Sequence, residues 1–348
     1  LATLTDIAKA AGVSHVTVSR VLNGAEYQRP TFAKRARKIR KLAEEMGYRP
    51  NASARAIRQG SFGAVTLMMS ADPYRSELPK FMFYGIQAAA SEADLAVNLS
   101  IVPDEQLTEE RFVPKALREW HSDGLLINYH KSLPAHLQEV IDRHEIPSVF
   151  LNLDADHDSV RPDDRGAGRA ATEQLLALGH RRVWYVGYSY RHDKFHYSEL
   201  ERRDGYADAM IDAGLEPACI DRYHPALGGG GRYIDAWIAA LASPDRPTAL
   251  VCYGRDVDLS VVHLAAARAG LVVPRDLSLV TFGGSPVHNG LGIATWLVPE
   301  HDVGFVGLQM LQERIRRPDK TLPTRKLRFT HEPGESVAAP DVSVRSLA

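Results

Sequence analysis

Apolar residues recur at helical spacing through the first 46 residues, and then give way to short apolar runs. In LTDIAKAAGVSHVTVSRVLN, Leu4 to Asn23, the residues Ile7, Ala8 and Ala11 share one face of a short helix. Val18, Val21 and Leu22 share one face of a second. Thr5 is placed to cap the first helix, with Asp6 at its positive end. Gly12 is placed to end it in left-handed backbone, and Ser14 to cap the second. A third helix is predicted from about Thr31 to Met46, with the stripe Phe32, Ala36, Ile39, Leu42, Ala43 and Met46, stopped by Gly47. Two short helices around a tight turn make a helix-turn-helix. Ser14, His15, Val16, Thr17, Ser19 and Arg20 are then left on the outer face of the helix that enters a major groove.

Beyond it, GYRPNASARAIRQG, Gly47 to Gly60, reads as a hinge. Pro50 extends the residue before it, and Asn51 caps a segment from Ala52 to Arg58 too short to be helical alone in water. From Phe62 onward apolar runs alternate with helical stretches. The predicted strands are Ala64–Met69, Ala96–Ile101, Gly124–Asn128, Ser148–Leu153, Val183–Val186, Ala249–Tyr253 and Ser278–Phe282. The predicted helices are Lys80–Ala93, Pro134–His144, Gly166–Leu178, Arg203–Ala213, Tyr233–Ala242 and Asp258–Ala269. Such alternation implies parallel sheets with helices on both faces. The length suits two such lobes, which puts a ligand site in the cleft between them, at the carboxyl ends of the strands.

Charge divides the chain the same way. Residues 1–60 carry 12 Lys or Arg against 4 Asp or Glu, a net of +8, and the rest carries 30 against 39, a net of −9. A basic head on an acidic body is the footprint of a nucleic-acid binder. An apolar fraction of 45% supports ordinary globular cores. No apolar run reaches the ~20 residues that span a bilayer. With no charged-then-apolar leader and only two cysteines, Cys219 and Cys252, a cytoplasmic, reduced protein is expected. The glycine run 228–231 neither follows a clear strand nor carries the Lys of a phosphate loop. No nucleophile elbow appears, and the spacing of the His residues suits no metal site. No enzyme activity, cofactor or metal is expected.

TLTDIAKAAGVSHVTVSRVLNG followed by EEMGYRPNASARAI resembles the head and hinge of the lactose-repressor/galactose-repressor (LacI/GalR) family of bacterial transcription regulators. The resemblance continues through DDRGAGRAATEQLLALGHRRVWYVG, ERRDGYADAMIDAGL, AGLVVPRDLSLVTFG and GESVAAP, the last similar to the family's closing strand. It implies a small all-α helix-turn-helix head (residues 1–48), a hinge helix and linker (49–61) and an α/β body similar to periplasmic sugar-binding proteins (62–348). In that body three strands cross between two parallel-sheet lobes, roughly 62–162 with 295–325 and 163–294 with 326–348. It also implies a homodimer on a pseudo-palindromic operator. His15, Val16 and Arg20 would face base edges, and Thr5, Ser19, Asn23, Tyr48 and Asn51 would contact phosphate or sugar. Ala54 and Ile57 would enter the minor groove with the hinge, Ile57 as the wedge.

For the cleft the resemblance implies Asn128, Ser198, Arg202 and Asp256, a carboxylate facing a guanidinium fork across vicinal hydroxyls. Tyr129, Tyr188 or Trp296 either stacks on a sugar or belongs to the core. The family's Asn-Asp pair is Arg255-Asp256 here, and its later Asp-Asp pair is Gly283-Gly284. Asp72, Tyr74 and Arg75 are pocket residues or loop. Arg255 either favours a sugar acid or neutralises Asp256. The expected effector is a sugar, sugar acid or polyol, and the expected function is that of a repressor with no membrane partner. Two rival readings remain: a regulator controlled by a partner protein, and an enzyme with a DNA-binding head.

Overall fold

In the computed structural model the described residues are 2–22, 30–48, 60–73, 75–103, 122–129, 133–187, 196–220, 233–254, 257–283 and 292–340. The chain divides into two compact units, 1–62 and 63–348.

Among the described residues the first unit contains three helices, α1 (Leu4–Ala11), α2 (His15–Leu22) and α3 (Pro30–Glu45). The cap of α1 is Thr3 rather than Thr5. Thr3 accepts from the amide of Asp6, whose carboxylate accepts from the Thr3 backbone amide at 2.9 Å. Only the residue three before an acidic side chain can form this reciprocal box, and that selects Thr3. These bonds hold the Asp6 carboxyl below its ordinary value. Gly12 closes α1 at φ 68°. Ser14 Oγ accepts from the Thr17 amide at 3.2 Å at the start of α2. Ile7, Ala8, Val18, Val21, Ala36, Ile39 and Ala43 form the core, with Leu22, Leu42 and Met46 packed against it. Phe32 departs from its predicted stripe and is exposed, with the Arg35 guanidinium 5.9 Å from its ring. It lies in the first turn of α3, before the buried positions Ala36, Ile39 and Ala43.

The second unit contains two sheets of six strands. The first runs β11-β5-β4-β3-β1-β2 and the second β12-β10-β9-β8-β6-β7. The strands are β1 (Ala64–Ser70), β2 (Ala96–Val102), β3 (Leu125–Asn128), β4 (Ser148–Leu151), β5 (Ser159–Pro162), β6 (Val183–Val186), β7 (Ala218–Ile220), β8 (Ala249–Cys252), β9 (Ser278–Gly283), β10 (Ala294–Leu297), β11 (Arg325–Leu327) and β12 (Thr330–Glu332). All pairings are parallel except β10 with β12. The helices among the described residues are α4 (Lys80–Glu92), α5 (Ala135–Arg143), α6 (Asp164–Ala177), α7 (Tyr197–Asp212), α8 (Tyr233–Ala242), α9 (Val257–Arg268) and α10 (Glu300–Arg316). No described helix is long and apolar enough to cross a membrane.

The chain passes between the sheets three times: from β5 into α6, from β10 into α10 and from β11 into β12. β10 completes the second sheet, so that crossing follows Leu297 instead of preceding residue 295. β11 belongs whole to the first sheet, so the last crossing follows Leu327. The segment 334–340, expected as a closing strand, forms no strand. Ser336 still ties it down: its carbonyl accepts from the Leu279 amide, and its hydroxyl donates to the Leu279 carbonyl at 2.5 Å. Helix α7 begins six residues before the predicted Arg203, capped by His196.

Both sheets are built around glycine-mediated helix contacts. A Cβ at Gly168 of α6 would collide with the Arg202 carbonyl of α7, and one at Gly205 with the Arg165 carbonyl. In the first lobe Gly85 of α4 and Gly304 of α10 meet backbone in the same manner. In each sheet the strand order reverses beside its first strand, β1 against β3 and β6 against β8. The register aligns Met69 with Asn128 and Val186 with Cys252. The carboxyl ends of these strands are where α/β sheets bind ligands.

Candidate DNA interface and ligand cleft

On the head, His15, Val16 and Arg20 are exposed, Val16 at 54%. An apolar side chain so open, on a helix whose other apolar residues are buried, is free to meet a thymine methyl. Ser14 is exposed and Thr17 half-buried, with their hydroxyls 2.9 Å apart. Thr5 is exposed on α1. Ser19 is buried at 7%, not on the outer face, because it follows Val18 onto the side of α2 that packs inward. Tyr48 is half-buried and packs against the head core. Asn23, Asn51, Ala54 and Ile57 lie outside the described residues, as do Tyr74, Tyr188, Arg255, Asp256 and Gly284.

In the second lobe the first turns of α7 place two predicted cleft residues together. Arg202 is buried and ion-paired through Nε to Asp164 Oδ1 at 2.7 Å, and its Nη1 donates to the Tyr253 carbonyl at 2.9 Å. The rings of Tyr253, Phe282 and Phe329 stand 4.7, 4.9 and 5.3 Å from its guanidinium. Burial works against the Arg202 charge, but Asp164 and its neighbours outweigh it and hold the pKa above the ordinary arginine value. Asp164 Oδ2 is buried and has no hydrogen-bond partner among the described residues.

Ser198 Oγ lies 2.7 Å from both the Tyr253 hydroxyl and His196 Nδ1. His196 Nδ1 also accepts from the Ser198 amide, so its proton is assigned to Nε2, which donates to the Asn152 carbonyl at 3.2 Å. Burial raises the Tyr253 hydroxyl pKa. It therefore stays a donor, and the polarity runs from Tyr253 through Ser198 to His196.

The same helix end reaches the first lobe. Tyr197 donates to Asn152 Oδ1 at 2.9 Å, and Glu201 accepts from Arg161 Nη1 at 2.8 Å. Arg161 also pairs with Asp154 at 3.0 Å and stacks 4.8 Å from the Tyr197 ring. Asn152 adopts φ 55°, which an asparagine tolerates better than most residues. Thus Ser198 and Arg202 bond to Tyr253 of their own lobe, while His196, Tyr197 and Glu201 hold the other lobe.

In the first lobe, Asn128 ends β3 fully buried. Its Nδ2 donates to the Glu77 carbonyl at 2.8 Å, and its own carbonyl accepts from Ser76 Oγ. Asn128 Oδ1 has no partner among the described residues. Tyr129 is fully buried in the apolar core of that lobe, with the Arg75 guanidinium 6.0 Å from its ring. Tyr129 thus takes the core position, the alternative to stacking on a sugar. Trp296 donates to Gln174 Oε1 at 3.3 Å, lies 5.1 Å from the His331 ring, and stands in register with Phe282, one of the rings around Arg202. Tyr253, Asp164, His196 and Asn152 were not singled out from sequence. The one local signal was Asp164, which opens a helix in DDRGAGR.

A cavity of about 410 Å³ lies elsewhere in the first lobe, lined by Ser148, Asp158, Arg314 and neighbours. Ser148 begins β4, so this cavity sits at the amino ends of the strands, away from the cleft. Cys219 is exposed and Cys252 buried, and they form no bridge.

The profile described as "Bacterial regulatory proteins, lacI family" matches residues 3–51, and "Periplasmic binding protein-like domain" matches residues 172–337. The head is thus similar to LacI-family regulatory proteins and the body to periplasmic binding proteins. Among its LacI-family relatives, the transcriptional regulator GntR of Escherichia coli K12 is 26% identical over 345 residues, covering 96% of this chain and 98% of the relative. The regulator CelR of Thermobifida fusca is 28% identical over 354 residues, covering 94% and 96%. The fold is similar to that of the Lac repressor dimer bound to operator and the anti-inducer ONPF, with a TM-score of 0.75 at 20% identity, covering 97% and 99%. A CelR–cellobiose complex matches with a TM-score of 0.57 at 24% identity, covering 97% and 100%. The relatives that match along nearly the whole chain are transcriptional regulators and repressors, and the lacI-family match falls on the helical head of this chain.

Proposed function

We propose that operator binding by this repressor is controlled by a small polyhydroxylated ligand held between the two lobes of the body. The observation that carries this reading is the cluster at the strand ends. The second lobe offers a buried, charge-paired Arg202 and the Tyr253–Ser198–His196 hydrogen-bond chain, and the first lobe offers a buried Asn128 at the end of β3, whose Oδ1 has no partner among the described residues. That composition fits a ligand that presents several hydroxyls. The cellobiose in the CelR complex supports the same class. Asp256 is proposed to complete the set. In this scheme two heads of a homodimer read a pseudo-palindrome with His15, Val16 and Arg20. Asn51, Ala54 and Ile57 carry the hinge into the minor groove.

The reading is tested by thermal unfolding against sugars, sugar acids, polyols and sugar phosphates. A ligand at 100 times its dissociation constant adds about 2.7 kcal/mol, readily seen as a shift in Tm. The expected result is a shift with one class, lost in Arg202→Met. If no class shifts a protein that still binds DNA, the polyhydroxylated ligand proposed here is ruled out and control by a partner protein takes its place.

A further inference from the structure

Helix α3 carries Lys34, Arg35, Arg37, Lys38, Arg40 and Lys41 within eight residues, against Glu44 and Glu45 at its end. Lys34, Arg37, Lys38 and Lys41 stand at i, i+3, i+4 and i+7, one continuous stripe on the helix surface. The stripe is half a turn away from Ala36, Ile39 and Ala43, which face the core, and all four cations are exposed. Among the described residues their one carboxylate contact is Lys41 with Glu45, at 3.6 Å between highly exposed side chains.

This arrangement is unfavourable for an isolated helix. Lys34 with Arg37 and Lys38, and Lys41 with Arg37 and Lys38, are like-charged neighbours at repulsive spacing. No acidic residue occupies the first turn, so nothing there complements the helix dipole. A polyanion along the stripe relieves the repulsion between the four cations.

The direction of the stripe decides which polyanion. α3 packs on α1 and α2 through the core that contains Ile39, Val18 and Val21. Its outer face is therefore turned away from that core and from α2. The exposed residues His15, Val16 and Arg20 of α2 are likewise turned away from that shared core, so the two faces look out from different sides of the head. The stripe is about 10 Å long, and a duplex presents roughly one charge per 1.7 Å, so four cations match one short stretch of backbone.

We propose that the outer face of α3 is a second, sequence-independent DNA-binding surface, which holds a neighbouring duplex segment while the recognition helix holds the operator. The four cations contact phosphates and read no bases.

The test immobilises an operator duplex, loads the full chain, and measures capture of a labelled non-operator duplex. The comparison is Lys34→Gln, Arg37→Gln, Lys38→Gln and Lys41→Gln combined, since Gln keeps helix propensity and removes charge. Wild type is expected to capture the second duplex, and capture is expected to fall about 100-fold between 50 and 200 mM salt for four phosphate contacts. The variant is expected to stay on the operator within about threefold of wild type and to lose capture by at least about tenfold. Retention on the operator shows that the variant is folded and that the recognition helix works, whatever capture does. Three outcomes overturn the proposal. Wild type captures nothing, in which case solvent or the acidic body is the stripe's partner. Capture persists in the variant, in which case another pair of recognition helices does it. Or the variant loses operator affinity itself, in which case the stripe lies on the operator duplex.

Discussion

Arg202 ties the cleft to the stability of the lobe. Its guanidinium neutralises Asp164, caps the carbonyl that follows β8 and fills a box of three aromatic rings. Removing it leaves a fully buried carboxylate without its counter-charge. Arg202→Ala is therefore expected to cost about 3–5 kcal/mol in urea unfolding, and adding Asp164→Ala is expected to recover part of that loss. A second residue acts through pH. His180 is buried, with Nε2 donating to the Ala338 carbonyl at 2.9 Å and Nδ1 2.9 Å from Thr248 Oγ1. Burial pulls its pKa below the ordinary value of 6.5. The unfolded chain then binds more protons between the folded pKa and 6.5. Its contribution is full above the unfolded pKa and is lost as pH falls from there toward the folded pKa. Unfolding free energies at about pH 7.5 and pH 5.5 should fall with acid, and less steeply in His180→Gln.

At the scale of elements, the glycine contacts fix how closely helices pack. Gly168→Ala puts a methyl group against the Arg202 carbonyl, so α6 and α7 must separate. The expected cost is about 1–3 kcal/mol, with weakened ligand binding because Arg202 and Ser198 ride on α7. Alanine at Gly270, which meets nothing within 4 Å, disturbs only its left-handed backbone and should leave ligand affinity unchanged.

Elements whose apolar runs are long or whose stripe is regular were legible in the chain: α1 to α3, β1, β3, β6, β8 and β9. Those built by pairing were not. β5 is SVRP, with an Arg and a Pro among four buried residues, and it is a strand because β4 and β11 flank it. β11 and β12 are three residues each and partly polar. α10 was missed because Gly304 and Gly307, unfavourable in an isolated helix, serve its packing on α4 and on Leu151. The candidate cleft residues Ser198, Arg202 and Asn128 come from motifs recognisable in the chain. Tyr253 and Asn152 are cleft residues only because distant strands bring them to α7.

For the molecule as a whole, the proposed function gives the basic head the work of holding DNA and the acidic body that of sensing a ligand. The ligand changes operator affinity only by as much as it prefers one arrangement of the lobes over the other. The hydrogen bonds of His196 and Tyr197 to Asn152, and of Glu201 to Arg161, are the contacts that differ if the lobes move. Tyr197→Phe removes one of them without touching Ser198 or Arg202. It is expected to alter the coupling between ligand and operator more than the affinity for either alone, as a double titration of ligand and operator will show.

The most direct test of the whole account is operator affinity of the full chain, titrated with and without the ligand that raises its Tm. The account predicts a change of about 5- to 150-fold in Kd, with the reciprocal change in ligand affinity when operator is present. A tight ligand that leaves operator Kd unchanged would contradict it.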